Sequence, residues 1–147
     1  MLELPRPRAV ATRNSDAFKT KFSMTKVLLL GAAGFVGTLA RYFLQGVIQT
    51  NAGSAFPFGT LVVNVSGCFV LGLLNGLFTE RFLIDPQWRI CFTIGFCGAF
   101  TTFSTLVFET VQLASGRELL LAAANVIASL ALGFIFLWLG IVAARAL

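Results

Sequence analysis

The chain has 147 residues, of which 57% are hydrophobic and 12% charged, and its mean hydropathy is +0.87; a soluble domain of this length carries far more charge, so the sequence belongs in lipid. The formal net charge is +5, but Arg6, Arg8, Arg13, Lys19 and Lys21 supply five of the eleven basic residues, and no basic cluster interleaved with aromatics follows them, which argues against nucleic acid as a partner. Histidine is absent, and the three cysteines, Cys68, Cys91 and Cys97, lie in or beside apolar runs, so neither a zinc set nor a disulfide framework is expected, and with the commonest general base missing the chain is not expected to be an enzyme.

Residues 1–23 are polar and charged, without an apolar run long enough for a signal-peptide core. They are expected to be disordered. Because Met24 and Lys26 directly precede the first apolar run, this segment reads as an extension from an upstream start in preference to a cytoplasmic tail. Residues 24–147 then form one domain.

A helix needs about 20 apolar residues to cross the hydrocarbon core, and four stretches supply them: 27–48, 58–78, 90–113 and 119–144. The connections are short. Thr50 to Ser54 ahead of Pro57, Thr79 to Gln87 with Asp85-Pro86, and Ser115-Gly116-Arg117 read as the three loops. Small residues recur in the spans, among them Gly31, Gly34 and Gly37, the pair Gly72 and Gly76, and Gly133 and Gly140; they let helices approach closely in lipid. From Met24 onward, Lys26, Arg81, Arg89 and Arg145 fall at one face of the bundle and Arg41 and Arg117 at the other. So slight a bias permits insertion in both orientations, and four helices are few to enclose a polar path. An oligomer with inverted partners is therefore expected.

Polar groups in hydrocarbon are costly unless they face protein, water or a substrate path. Thr60 and Asn64 share a face of the second span, with Asn75 farther along, and Asn125, Ser129 and Gly133 repeat that stripe in the fourth. Both interhelical hydrogen bonding and pore lining suit these positions. Neutral donors of this kind fit an anion. Arg41 and Glu109 lie toward the ends of their spans, where each can snorkel to an interface, and Arg41 can alternatively lend positive potential to an anion vestibule. The third span holds the strongest anomaly: Thr101, Thr102, Ser104 and Thr105 surround Phe103 at its centre. Hydroxyls there compete with the backbone, and interrupted helix at membrane depth survives only where it is buried in protein or lines a cavity. An unbroken helix whose hydroxyls bond back to preceding carbonyls is the other reading.

At these residues the sequence resembles the Fluc/CrcB family of small fluoride channels. The resemblance runs from Met24 to the C-terminus and rests on Gly31-Ala32-Ala33-Gly34 through Arg41-Tyr42, on Phe58-Gly59-Thr60-Leu61-Val62-Val63-Asn64, and on Gly95 through Thr105. It implies an all-α membrane protein of four transmembrane helices, the third broken mid-membrane, assembled as an antiparallel dual-topology homodimer with two fluoride pores and a central structural sodium ion. Backbone carbonyls at Gly98 and Thr101 match the family's sodium ligands, and oxygen donors suit a hard cation. Phe103 matches the first of two pore-facing rings, whose positive edge favours an anion without holding it tightly. The second ring position carries Leu106 where the family has Phe, which predicts altered anion rates before lost selectivity. Ala99 replaces the more usual second glycine.

The same resemblance places Asn64 and Ser129 in the pore; the hydroxyls of Thr60, Ser104 and Thr105 are expected to join them as neutral donors, and Arg41 is expected at the vestibule. The implied activity is passive export of fluoride across a bacterial inner membrane, in a multi-pass protein with no energy source. A small dual-topology multidrug exporter needs a membrane-embedded carboxylate, which the first span lacks. An accessory structural subunit leaves the polar third span without a purpose.

Overall fold

The computed structural model of the chain describes residues 24–80 and 86–147; the expectations for residues 1–23 and for the loop carrying Arg81 and Asp85 lie outside them. Among the described residues every regular element is helical: α1 (Met24–Ala52), α2 (Phe58–Glu80), α3 (Pro86–Ile90), a π-helical stretch (Cys91–Cys97), α4 (Gly98–Phe100), α5 (Phe103–Ser115) and α6 (Leu119–Ala146). Four stretches are long and apolar enough to cross a membrane: Met24–Ala52, Phe58–Phe78, Trp88–Ser115 and Leu119–Ala146. Over its described residues the protein is thus all-α with four candidate spans, as a multi-pass membrane protein requires.

The first connection is shorter than the sequence suggests, because Thr50 and Asn51 continue α1 and the chain reverses only at Gly53, whose φ of 55° costs a glycine nothing. Gln49 ties the reversal down. Its amide donates to the carbonyls of Ser54 (2.9 Å) and Phe56 (3.2 Å) and accepts from the Gly59 amide (3.1 Å). At the third connection the Glu118 amide reaches the Leu113 carbonyl (2.9 Å) and the Arg117 amide the Ala114 carbonyl (3.1 Å), the paired bonds that close a helix around a left-handed residue. That residue is Arg117, at φ 64°, and not the neighbouring Gly116.

Helix α2 packs most extensively against α6, and α1 lies against the π-helical stretch. Glycines make the first contact possible: a methyl at Gly72 would strike the Leu137 carbonyl, and one at Gly140 would strike the Phe69 carbonyl. With backbones this close, van der Waals packing replaces the hydrophobic drive that lipid cannot supply. Few large apolar side chains are buried. Phe35, Phe43, Phe134 and Trp138 are all more than 60% exposed, while Thr60 and Asn125 are among the most deeply buried side chains. Apolar residues outside and polar residues within is the arrangement lipid imposes.

Candidate functional site

The third span changes character along its length. Cys91–Cys97 forms wide π-type turns, helical geometry resumes over Gly98–Phe100, and then two residues are extended, Thr101 at φ −84°, ψ 156° and Thr102 at φ −146°, ψ 113°. Helix α5 begins at Phe103.

Three side chains hold this extended pair. Asn64 on α2 acts as a substitute peptide group: its Nδ2 donates to the Thr102 carbonyl (3.0 Å) and its Oδ1 accepts from the Thr102 amide (2.7 Å). The Thr101 hydroxyl and amide both donate to the Cys97 carbonyl, each at 3.0 Å. The Thr102 hydroxyl caps α5 by accepting from the Thr105 amide (3.2 Å), and lies 2.9 Å from the Thr105 hydroxyl and 3.3 Å from that of Ser104. Two carbonyls lose their usual helical donors as a result. The Thr102 amide, which would serve the Gly98 carbonyl, goes to Asn64, and the Thr105 amide, which would serve the Thr101 carbonyl, goes to the Thr102 hydroxyl.

Close approach of α2 is a condition of this clamp. Gly67, one turn beyond Asn64, faces the Thr101 methyl and the Phe100 ring so closely that any side chain there would collide with them. Beside the extended pair opens a cleft of about 290 Å³ whose lining includes Asn64, Gly98, Thr101, Phe103, Leu106 and Ser129. Phe103 is 74% exposed, whereas Leu106 is buried. The Ser129 hydroxyl is buried without a protein partner, which leaves a donor for a guest in the cleft.

The remaining residues singled out from the sequence lie elsewhere. Thr60 does not line this cleft; its hydroxyl donates to Glu109 Oε1 (2.7 Å) and accepts from Gln45 Nε2 (3.1 Å). Glu109 consequently turns into the bundle and does not snorkel outward, and its second oxygen is buried without a partner. A carboxylate in a low-dielectric bundle takes a hydroxyl donor at hand in preference to stretching to the interface. Arg41 is half-buried, with its Nε unpartnered. Asn125 donates to the Thr110 hydroxyl (2.9 Å), an interhelical bond between α6 and α5. Ser104 is exposed and Thr105 half-buried, both gathered at the Thr102 cap.

Thr102 is a site residue not singled out from the sequence, although threonine directly before a helix start is a favoured N-cap. Gly67 and Cys68 are two more, whose places in the site follow only from the approach of α2.

The family model described as "CrcB-like protein, Camphor Resistance (CrcB)" matches residues 28–141. A protein of Geotalea daltonii named "Fluoride-specific ion channel FluC" is 44% identical over 122 residues, covering 83% of this chain and 98% of the relative. One of the same name from Geobacter sulfurreducens is 46% identical over 124 residues, covering 84% and 100%, and one from Nitratidesulfovibrio vulgaris is 44% identical over 118 residues, covering 80% and 95%. With both the family model and near full-length relatives matching across all four spans, the chain belongs to the CrcB-like family.

Proposed function

We propose that this chain is the subunit of a fluoride-selective channel that lets the anion leave a bacterial cell passively across the inner membrane. The observation that carries the reading is the extended Thr101–Thr102 pair, clamped by Asn64 beside a cleft that holds the unpartnered Ser129 hydroxyl and the Phe103 ring. Relatives named as fluoride channels support the choice of ion. A small anion entering such a cleft exchanges its water for neutral donors and a ring edge, which bind it without trapping it. Leu106 supplies a dry wall in place of a second ring.

The working unit is an antiparallel, dual-topology homodimer with two pores, each third helix interrupted near the middle of the bilayer. One chain leaves Phe103 exposed on the same cleft as Gly98 and Thr101, and a second, inverted copy would enclose it. The Gly98 and Thr101 carbonyls, freed of their helical donors, fit a hard cation; among the described residues no group of three Cys, Asp or Glu offers a rival metal site. Two such oxygens from each copy would hold a sodium ion between them, joining the subunits and adding positive charge near the pores. Arg41 provides positive potential at a vestibule, and Ser104 and Thr105 complete the polar lining. Thr60 contributes through Glu109, since its proton is already committed there.

The test is fluoride efflux from liposomes holding the purified protein, followed with an electrode and compared with chloride. Fluoride-selective flux is expected; no flux in any salt would refute the reading. Glu109, the one carboxylate turned into the described bundle, is the group that a proton-coupled exporter would use. That alternative predicts pH-driven exchange of organic cations and no fluoride leak.

A further inference from the structure

The cleft at Asn64 and Ser129 does not end at the extended pair. It shares Leu71 and Thr93 with a second cleft of about 320 Å³, which continues past Leu137 and Ile141 to Asn75 and Arg89 near the start of the third span. Arg89, Thr93, Cys97 and Thr101 recur every four residues along one side of that span, and all four line the two clefts. From Ser129 to Ile141 along α6, the groove extends roughly 18 Å at the rise of an α-helix.

Its far end is built for an anion. The Arg89 guanidinium is fixed by one bond, from Nη2 to Asn75 Oδ1 at 2.9 Å. That partner is a neutral amide, so the full positive charge is kept, and a guanidinium has five N–H donors of which this bond uses one. Among the described residues no carboxylate lines this cleft. The cleft at the opposite end of the bundle differs in sign, being lined by Glu109 and Glu118.

We propose that Arg89, oriented by Asn75, is a loading site where a small anion is concentrated and partly dehydrated before it moves past Thr93 to the Asn64–Ser129 cleft. The inference rests on the channel reading and specifies where the ion enters. Because the guanidinium is exposed, it attracts the ion without holding it, as conduction requires.

The test uses the full chain in liposomes of neutral lipid, with fluoride efflux measured at low and high ionic strength. Arg89→Gln should slow efflux by about three- to tenfold at ~20 mM salt and by less than about twofold at ~500 mM, where the attraction is screened. Arg89→Lys, which keeps the charge but not the planar fork, should recover most of the loss. A wild-type protein that conducts while Arg89→Gln matches it at both salts would overturn the loading site and leave the channel intact; a wild type that does not conduct refutes the channel itself. Equal, salt-independent losses in the Gln and Lys variants would make Arg89 a structural clasp on Asn75. A loss confined to vesicles containing phosphatidylglycerol would assign the guanidinium to lipid phosphate. Either result refutes the proposal.

Discussion

Removing the Asn64 amide is the sharpest perturbation the structure offers. In Asn64→Ala the Thr102 carbonyl and amide lose their partners together, at 3.0 and 2.7 Å, within a bundle where no other described side chain replaces them. Each buried polar group left unsatisfied costs about 1–3 kcal/mol, so the pair costs about 2–6 kcal/mol unless the segment relaxes toward helix or admits water. Either relaxation returns the Thr102 amide toward the Gly98 carbonyl or leaves it to solvent, and both dismantle the arrangement at the cleft. The variant should therefore lose thermal stability in detergent and fluoride efflux together. Asn64→Asp separates the two bonds: its carboxylate still accepts from the Thr102 amide but faces the Thr102 carbonyl with no donor, so it should be impaired as well. If Asn64 served only as a donor to the ion, Asn64→Ala would melt at the wild-type temperature while conducting poorly. Wild-type melting combined with wild-type efflux would refute both the clamp and the pore assignment.

Phe103→Ile tests the opposite case, because a ring that is 74% exposed in one chain contributes little to its packing; efflux should fall severalfold with the melting temperature of the subunit nearly unchanged, and an unaltered rate would remove Phe103 from the pore. Glu109→Gln retains an acceptor for the Thr60 hydroxyl while deleting a negative charge from the bundle, so fluoride efflux should be maintained or raised; a collapse of flux would show that the charge itself is needed. Exchange into sodium-free buffer for prolonged periods should abolish flux or weaken the dimer on size-exclusion chromatography, and unchanged behaviour in both assays would count against a cation at Gly98 and Thr101.

Much of this architecture is legible in one dimension. Span number follows from apolar length, since the bilayer demands about 20 such residues per crossing. The unusual polarity of the third span is visible because four hydroxyl residues crowd around Phe103. Asn64, Gly98, Thr101, Phe103, Leu106 and Ser129, each named from sequence, line a single cleft. Thr60 illustrates the limit: it shares a helical face with Asn64, yet its hydroxyl is taken up by Glu109, 49 residues away.

Local composition thus determined which segments enter the membrane, which family they resemble and where the backbone is under competition from side chains, because hydropathy and hydroxyl content act within a few residues. Only the tertiary structure decided how that competition is resolved. The Asn64 amide reaches Thr102 across 38 residues because glycines bring the helices close, and a hydrogen bond requires two groups within about 3 Å, a condition that periodicity along one chain does not encode. The same reason explains Glu109, which position alone would send to the interface and which the proximity of Thr60 turns inward.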